Sequence, residues 1–136
     1  MLTRSSTHLA DRMTRGDVFE PRCPSREIMK RVTSSWGVLA LIALSPGTLR
    51  FSELRRKMNG VSERMLAQTL KQLEDHGLLI RQSYPVVPPH VEYTLTEMGR
   101  EAAVRVEALA DWIEDRLPDM IDAAATKERQ RRTEKE

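Results

Sequence analysis

The spacing of apolar residues predicts a chain made mostly of helices. A short first helix begins at a Pro-Ser pair, with Ser25 as its N-cap and an apolar face formed by Ile28, Met29 and Val32. A second helix, over residues 36–44, is apolar almost all round and is therefore predicted to be buried. The Ser-Pro-Gly sequence that follows is expected to end it.

Two helices joined by a tight turn come next. Apolar spacing places the first of them at 52–58, with Ser52 as its candidate cap and an Asn-Gly turn after it. The second runs over 62–76, because Ser62 is positioned to cap it and Gly77 to end it. Its predicted buried face consists of Met65, Leu66, Thr69, Leu70 and Leu73.

A hairpin and a long helix complete the pattern. Residues 78–84 and 91–95 alternate and are rich in Ile, Val and Tyr, which predicts two strands joined by a stiff proline-rich loop. Thr96 is expected to cap a long final helix that carries a continuous apolar seam. The seam consists of Ala102, Val106, Leu109, Ile113, Leu117 and Met120.

Composition divides the chain into three segments. Residues 1–21 are polar and mixed in charge without a helical period, which predicts a flexible N-terminal arm. Residues 22–120 form the single folded domain expected for a chain of 136 residues. Residues 121–136 have no apolar residue after Ala125, which predicts a charged, frayed or disordered tail.

Charge and cysteine content narrow the class of protein. Residues 1–95 carry 14 basic against 9 acidic residues and residues 96–136 carry 8 against 11, so a basic body suited to a polyanionic partner precedes an acidic part. One cysteine and three scattered histidines argue against a disulfide framework or a metal site. The longest apolar run is far shorter than the roughly 18 residues of a membrane span, and no secretory signal is found. We expect a cytoplasmic protein without membrane contact, metal or cofactor.

The order of these elements is that of a winged helix-turn-helix, mainly α with a small β-hairpin as the wing. The helix at 62–76 is then the recognition helix, whose N-terminal residues enter the major groove of double-stranded DNA. Arg, Gln, Ser and Lys are the residue types that contact bases and phosphates there. The residues predicted to contact DNA are Ser62, Glu63, Arg64, Gln68, Lys71 and Gln72 on this helix, Ser52, Arg55, Arg56 and Lys57 on the preceding helix, and Arg81 and His90 on the wing at 78–95.

These residues have other interpretations. An exposed face of Arg, Gln and Lys is often no more than a solvated helix face. An enzyme is disfavoured because the sequence has no Gly-rich phosphate loop, nucleophile motif or spaced ligand set. A winged helix that binds protein instead of DNA is the alternative function, although Arg64, Gln68 and Lys71 differ from the acidic or apolar face that it would need.

A series of motifs is shared with one bacterial family. They are Cys23-Pro24, the helix that contains Trp36, RFSELR at 50–55, VSERML at 61–66, LKQLE at 70–74, GLLIR at 77–81 and YPVVPPHVEYTLTEMG at 84–99. Over about residues 23–118 the chain thus resembles the HxlR-type, MarR-like winged helix-turn-helix transcriptional regulators. The resemblance implies a homodimer, joined through its first and last helices, that binds DNA. The residues expected in those contacts are Ile28, Met29, Val32, Ala102, Val106, Leu109, Ile113 and Leu117.

The expected mode of action is binding to a near-palindromic operator, with two recognition helices about 34 Å apart. Repression of transcription is favoured over activation, because any protein that binds tightly over a promoter can block it. Two positions depart from the family pattern: His90 stands where Lys or Arg is usual, and Val86 where a polar residue is usual. Both substitutions weaken the expected contact of the wing with phosphate.

Cys23 carries candidate redox chemistry. It stands where some relatives sense quinones, aldehydes or hypochlorite, and Arg22, Arg26 and the following helix N-terminus are expected to lower the pKa of its thiol. An oxidant or another small-molecule effector is therefore a candidate partner. The alternative is that Cys23 is a small structural hydrophobe, as free cysteines commonly are.

Overall fold

Five helices and a three-stranded antiparallel sheet are found in residues 15–135, which are the residues that the computed structural model describes. In chain order they are α1 (Pro24–Val32), α2 (Ser35–Leu44), β1 (Leu49–Arg50), α3 (Phe51–Lys57), α4 (Glu63–Asp75), β2 (Leu79–Tyr84), β3 (His90–Leu95) and α5 (Glu97–Lys135). The chain is mainly α with a small sheet, which confirms the winged helix-turn-helix architecture predicted for it.

Three predicted helix ends have the hydrogen bonds that define such ends. Ser62 Oγ accepts a hydrogen bond from the N–H of Met65 at 3.1 Å, and Thr96 Oγ1 accepts one from the N–H of Gly99 at 3.1 Å. Gly77 adopts a φ of +74°, and its N–H and that of the next residue donate to carbonyls of the last turn of α4. Side-chain caps and a left-handed glycine therefore fix where α4 and α5 begin and where α4 ends.

Two predicted caps are wrong. The N-cap of α1 is Cys23, because the proline after it suits the first helical position, and the Ser25 hydroxyl instead lies 3.1 Å from Cys23 Sγ. The helix α3 begins at residue 51, two residues earlier than a Ser52 cap would allow. Its N-cap is Arg50, whose N–H donates to a carboxylate oxygen of Glu53 at 2.8 Å.

The hydrophobic core lies where α2, α4 and α5 meet the base of the sheet. Its most completely buried large side chains are Leu41, Leu44, Leu54, Leu66, Leu70 and Leu73. The buried face of α4 matches the predicted one except at Met65, which is 41% exposed. Because neighbouring residues on a helix are separated by about 100°, Met65 lies at the edge of a face centred on Leu66 and Leu73.

The wing consists of β2, β3 and the loop between them. The two strands pair from Leu79 opposite Leu95 to Tyr84 opposite His90, close to the predicted bounds. The strand β1 pairs on the other side of β3, which gives the sheet order β1-β3-β2. It was not predicted, since two residues are too few to show alternation.

The final helix is longer than predicted. It runs to Lys135, so over residues 121–135 the structure has a helix where we expected a frayed or disordered tail. The absence of apolar residues predicts exposure, but it does not prevent helix formation by Ala, Lys, Arg and Glu, which have high helix propensity. A contact of 3.5 Å between Arg132 and Glu128, one turn apart, also supports this part of the helix. All side chains from residue 111 to 135 are exposed.

The predicted arm at 1–21 lies largely outside the described residues. Residues 17–23 form two successive turns before α1, held by bonds from the N–H of Glu20 to the Asp17 carbonyl and from the N–H of Cys23 to the Glu20 carbonyl. None of the helices in residues 15–135 combines the length and hydrophobicity needed to cross a membrane.

Candidate nucleic-acid interface

The helix α4 presents an uncovered polar face opposite its buried one. Arg64, Gln68 and Lys71 are exposed and lie three or four residues apart, so their side chains share one side of the helix. Among residues 15–135, the side chains of Arg64 and Gln68 make no hydrogen bond or ion pair, and Lys71 Nζ lies 3.6 Å from a carboxylate oxygen of Asp75. Because both members of that pair are exposed, the contact restrains Lys71 only weakly. This face is available to meet another molecule.

Three concavities lie around α3, α4 and the wing, and one aromatic residue lines all of them. One of about 630 Å³ lies over the turn between α3 and α4, and one of about 510 Å³ lies between α4 and the wing. A third, of about 480 Å³, lies between the start of α3 and the wing. Phe51 borders all three, and its ring centroid is 6.5 Å from that of Tyr93. From the sequence Phe51 was named only within the RFSELR motif, and its place between β1 and α3 could not be predicted because β1 was not.

The basic residues predicted on α3 have three different environments. Arg55 Nη1 lies 3.0 Å from Glu63 Oε1 at the start of α4. Arg56 is exposed and lines the concavity over the turn, together with Ser52. Lys57 Nζ instead donates to the carbonyl of Ala43, at 3.3 Å, near the C-terminal end of α2. The structure therefore places Arg55, Arg56 and Ser52 at the candidate interface but turns Lys57 toward the body of its own domain.

The wing contributes one exposed arginine, Arg81, and one histidine, His90, that already contacts another side chain. Arg81 is exposed and lines the concavity between α4 and the wing, which Lys71 also lines. His90 is half-buried, with Nε2 3.2 Å from Glu92 Oε2 and its ring stacked on Tyr84 at a centroid distance of 4.9 Å. A histidine that already contacts a carboxylate is a weaker phosphate ligand than the Lys or Arg usual at this position. Gln72, also predicted to contact DNA, is half-buried on the flank of α4.

The thiol of Cys23 is half-buried and receives hydrogen bonds. The hydroxyl of Ser25 lies 3.1 Å from Sγ, and the N–H of Asp17 donates to Sγ at 3.2 Å. The Ser25 hydroxyl, followed by the backbone N–H groups of Ser25 and Asp17, lowers the pKa of Cys23, which is the predicted direction. The predicted cause was wrong in part, since the flanking arginines are not among these contributions, and Arg26 donates to the Phe19 carbonyl at 3.3 Å.

The predicted dimer residues divide into two groups. Val106 is buried, and Val32 and Ala102 pack against the core, so these three serve their own domain. A second group is substantially exposed: Met29 at 45%, Leu109 at 49%, Ile113 at 41% and Leu117 at 47%, with Ile28 half-buried. The exposed part of the seam, from 109 to 117, is an apolar stripe with no covering partner among residues 15–135.

Residues 31–120 match the family model described as HxlR-like helix-turn-helix. The chain belongs to the HxlR-like family. It is 56% identical over 117 residues to the uncharacterized HTH-type transcriptional regulator YtfH of Escherichia coli, a match that covers 86% of this chain and 93% of YtfH.

Two solved structures of regulators agree with this assignment. The putative transcriptional regulator ytfH from Salmonella typhimurium is 59% identical, with a TM-score of 0.79 over 82% of this chain and 99% of that one. The redox regulator HypR in its reduced form is 32% identical, with a TM-score of 0.65 over 74% of this chain and 98% of that one. This HxlR-like chain is accordingly a DNA-binding transcription regulator, and its relatives are regulators and not enzymes.

Proposed function

We propose that the chain is a homodimeric repressor that binds a near-palindromic operator, with α4 in the major groove and the wing beside it. The observation that carries this proposal is the uncovered Arg64, Gln68 and Lys71 face of α4, flanked by concavities lined with basic side chains. Arg pairs with guanine, Gln with adenine, and Lys with phosphate. In a dimer the two α4 helices lie about 34 Å apart, one turn of B-DNA.

The exposed apolar stripe of α5 supports the homodimer. A second copy would cover Leu109, Ile113 and Leu117 together with the exposed Met29 of α1. A helix whose side chains are all exposed over residues 111–135 gains little from packing on its own domain, and isolated helices are marginal in water. Pairing with a second copy supplies the burial that the stripe lacks in one chain.

Oxidation at Cys23 is the proposed signal. A lowered thiol pKa increases the fraction of thiolate, which is the nucleophile in disulfide formation. The chain has one cysteine, so an oxidant would remove two electrons and two protons from two Cys23 thiols of a dimer, or from Cys23 and a small thiol. The solved relative HypR is described as a redox regulator, which supports a redox role here.

The test is a fluorescence anisotropy titration of the purified protein against the duplex upstream of its own gene, with a scrambled duplex as competitor. We expect tight binding that survives the competitor. Arg64→Ala should weaken the binding free energy by about 1–3 kcal/mol, through one base position. The control is Lys57→Ala, which should leave affinity unchanged because Lys57 Nζ donates to the Ala43 carbonyl in the wild type.

Each other outcome of the titration has a definite meaning. Equal affinity for both duplexes would contradict sequence-specific regulation. No binding to either duplex would contradict the DNA-binding role of α4 and favour the alternative, a winged helix that binds protein. Adding an oxidant such as hypochlorite, with Cys23→Ser as control, tests the signal: an unchanged affinity of the oxidised wild type would contradict redox control.

A further inference from the structure

The ion pair between Arg55 and Glu63 joins the two helices of the DNA-binding motif. Arg55 lies on α3 and Glu63 is the first residue of α4, and Arg55 Nη1 is 3.0 Å from Glu63 Oε1. Arg55 Nε also points to the carbonyl of Val61, at 3.5 Å, in the turn between them. The guanidinium thus contacts both the turn and the first residue of α4, and within residues 15–135 no other ion pair links α3 to α4.

Glu63 is an unusual residue for a surface that meets phosphates. Its side chain is 73% exposed and lines the 630 Å³ concavity over the turn, where a free carboxylate would repel the DNA backbone. The positive guanidinium of Arg55 offsets this charge. Arg55 is therefore held in an ion pair with Glu63, whereas Arg56 makes no ion pair among the described residues.

The geometry leaves one oxygen of Glu63 available. Only Oε1 has a hydrogen-bond partner among residues 15–135, so Oε2 can accept another bond. Residues at the N-terminus of a recognition helix face base edges in the major groove. An ionised carboxylate can only accept hydrogen bonds, and the amino group of cytosine is its usual donor there.

We propose that Glu63 selects a cytosine in each operator half-site. In this proposal Arg55 does not bind phosphate but is a positioning residue, which orients the Glu63 carboxylate. This inference rests on the proposed function, because it requires α4 to enter the major groove. It assigns to Arg55 a different role from Arg56, although both are adjacent arginines on α3.

The test is selection from a random duplex library followed by sequencing, carried out with the wild type, Glu63→Gln, Arg55→Ala and Arg55→Lys. The wild type should prefer cytosine at one position of the half-site by about 5- to 150-fold. Glu63→Gln should remove that preference, since glutamine favours adenine, and leave the other positions unchanged. Arg55→Ala should weaken preference at the same position, and Arg55→Lys, which keeps the positive charge, should restore part of it.

The matched control is Arg56→Ala, which should lower affinity for all sequences alike. Circular dichroism melting of each variant separates loss of selection from loss of folding, and Glu63→Gln is nearly isosteric and keeps the helix start intact. A wild-type consensus that Glu63→Gln leaves unchanged would overturn this inference alone. So would an Arg55→Ala variant that behaves like Arg56→Ala. If the wild type selects no consensus, the proposed function and this inference both fail.

Discussion

At the residue scale, Ser25 is the main determinant of the acidity of Cys23. Its hydroxyl lies 3.1 Å from Sγ and is the largest cause of the lowered pKa. Removing it in Ser25→Ala should raise the thiol pKa and slow alkylation at pH 7, because less thiolate is present. The measurement is the rate of iodoacetamide modification as a function of pH, which reports on Cys23 alone because the chain has one cysteine.

Arg26→Ala is the control for this prediction. The Arg26 guanidinium donates to the Phe19 carbonyl and is not among the causes of the lowered pKa, so the pH midpoint of alkylation should stay where it is. A midpoint that moves in Arg26→Ala and not in Ser25→Ala would show that the flanking charge, which the sequence suggested, controls the thiol after all.

Residue types predicted which side chains could bind DNA but not which acceptors they meet within the fold. Arg64, Gln68 and Lys71 were placed on one exposed face of α4 because helical spacing alone determines a face. Lys57 was misplaced because its acceptor, the Ala43 carbonyl, comes from a helix 14 residues away in the chain. The pairing of His90 with Glu92 likewise depends on strand geometry that residue types do not reveal.

At the element scale, α5 packs against the base of the wing through Gly99. A Cβ at Gly99 would overlap the carbonyl of Leu78, a backbone atom that also accepts the N–H of Thr96. Gly99→Ala should therefore destabilise the fold by about 3 kcal/mol, at the upper end of the usual cost of overpacking. Urea denaturation at one fixed protein concentration measures this loss, since the stability of a dimer depends on concentration.

Glu101→Ala is the matched control for Gly99→Ala, because Glu101 is exposed in the same region of α5. It should change the free energy of unfolding by no more than about 0.5 kcal/mol. A Gly99→Ala variant as stable as Glu101→Ala would mean that α5 can shift away from Leu78 without loss.

Elements were predictable where local chemistry alone determines them. Ser62 and Gly77 supply, within their own turns, the groups that begin and end α4. The strand β1 could not be predicted, because its two residues are held by pairing with β3, more than 40 residues later. The C-terminal part of α5 was missed because we inferred disorder from absent hydrophobicity, whereas helix propensity and contacts such as that of Arg132 with Glu128 are also local signals.

At the scale of the whole molecule, the basic body should make DNA affinity strongly dependent on salt. Lys71 and Arg81 line the concavity between α4 and the wing, where they can neutralise phosphates. Lys71→Ala should weaken binding to all sequences and reduce the slope of log K against log salt by about 1 for each protomer on the DNA. Anisotropy titrations over a series of salt concentrations measure that slope, and an unchanged slope would contradict a phosphate contact of Lys71.

Dimerisation should depend on the apolar stripe of α5 and should control DNA affinity. Ile113 and Leu117 are 41% and 47% exposed in one chain, and burying charge at both positions opposes pairing with a second copy. Ile113→Asp combined with Leu117→Asp should give a monomer in sedimentation velocity and weaken operator binding, because one recognition helix contacts half a site. Asp115→Ala, on the other side of the helix, is the control and should remain dimeric. A double variant that stays dimeric, or a monomer that binds the operator as tightly as the wild type, would contradict the proposed use of this stripe.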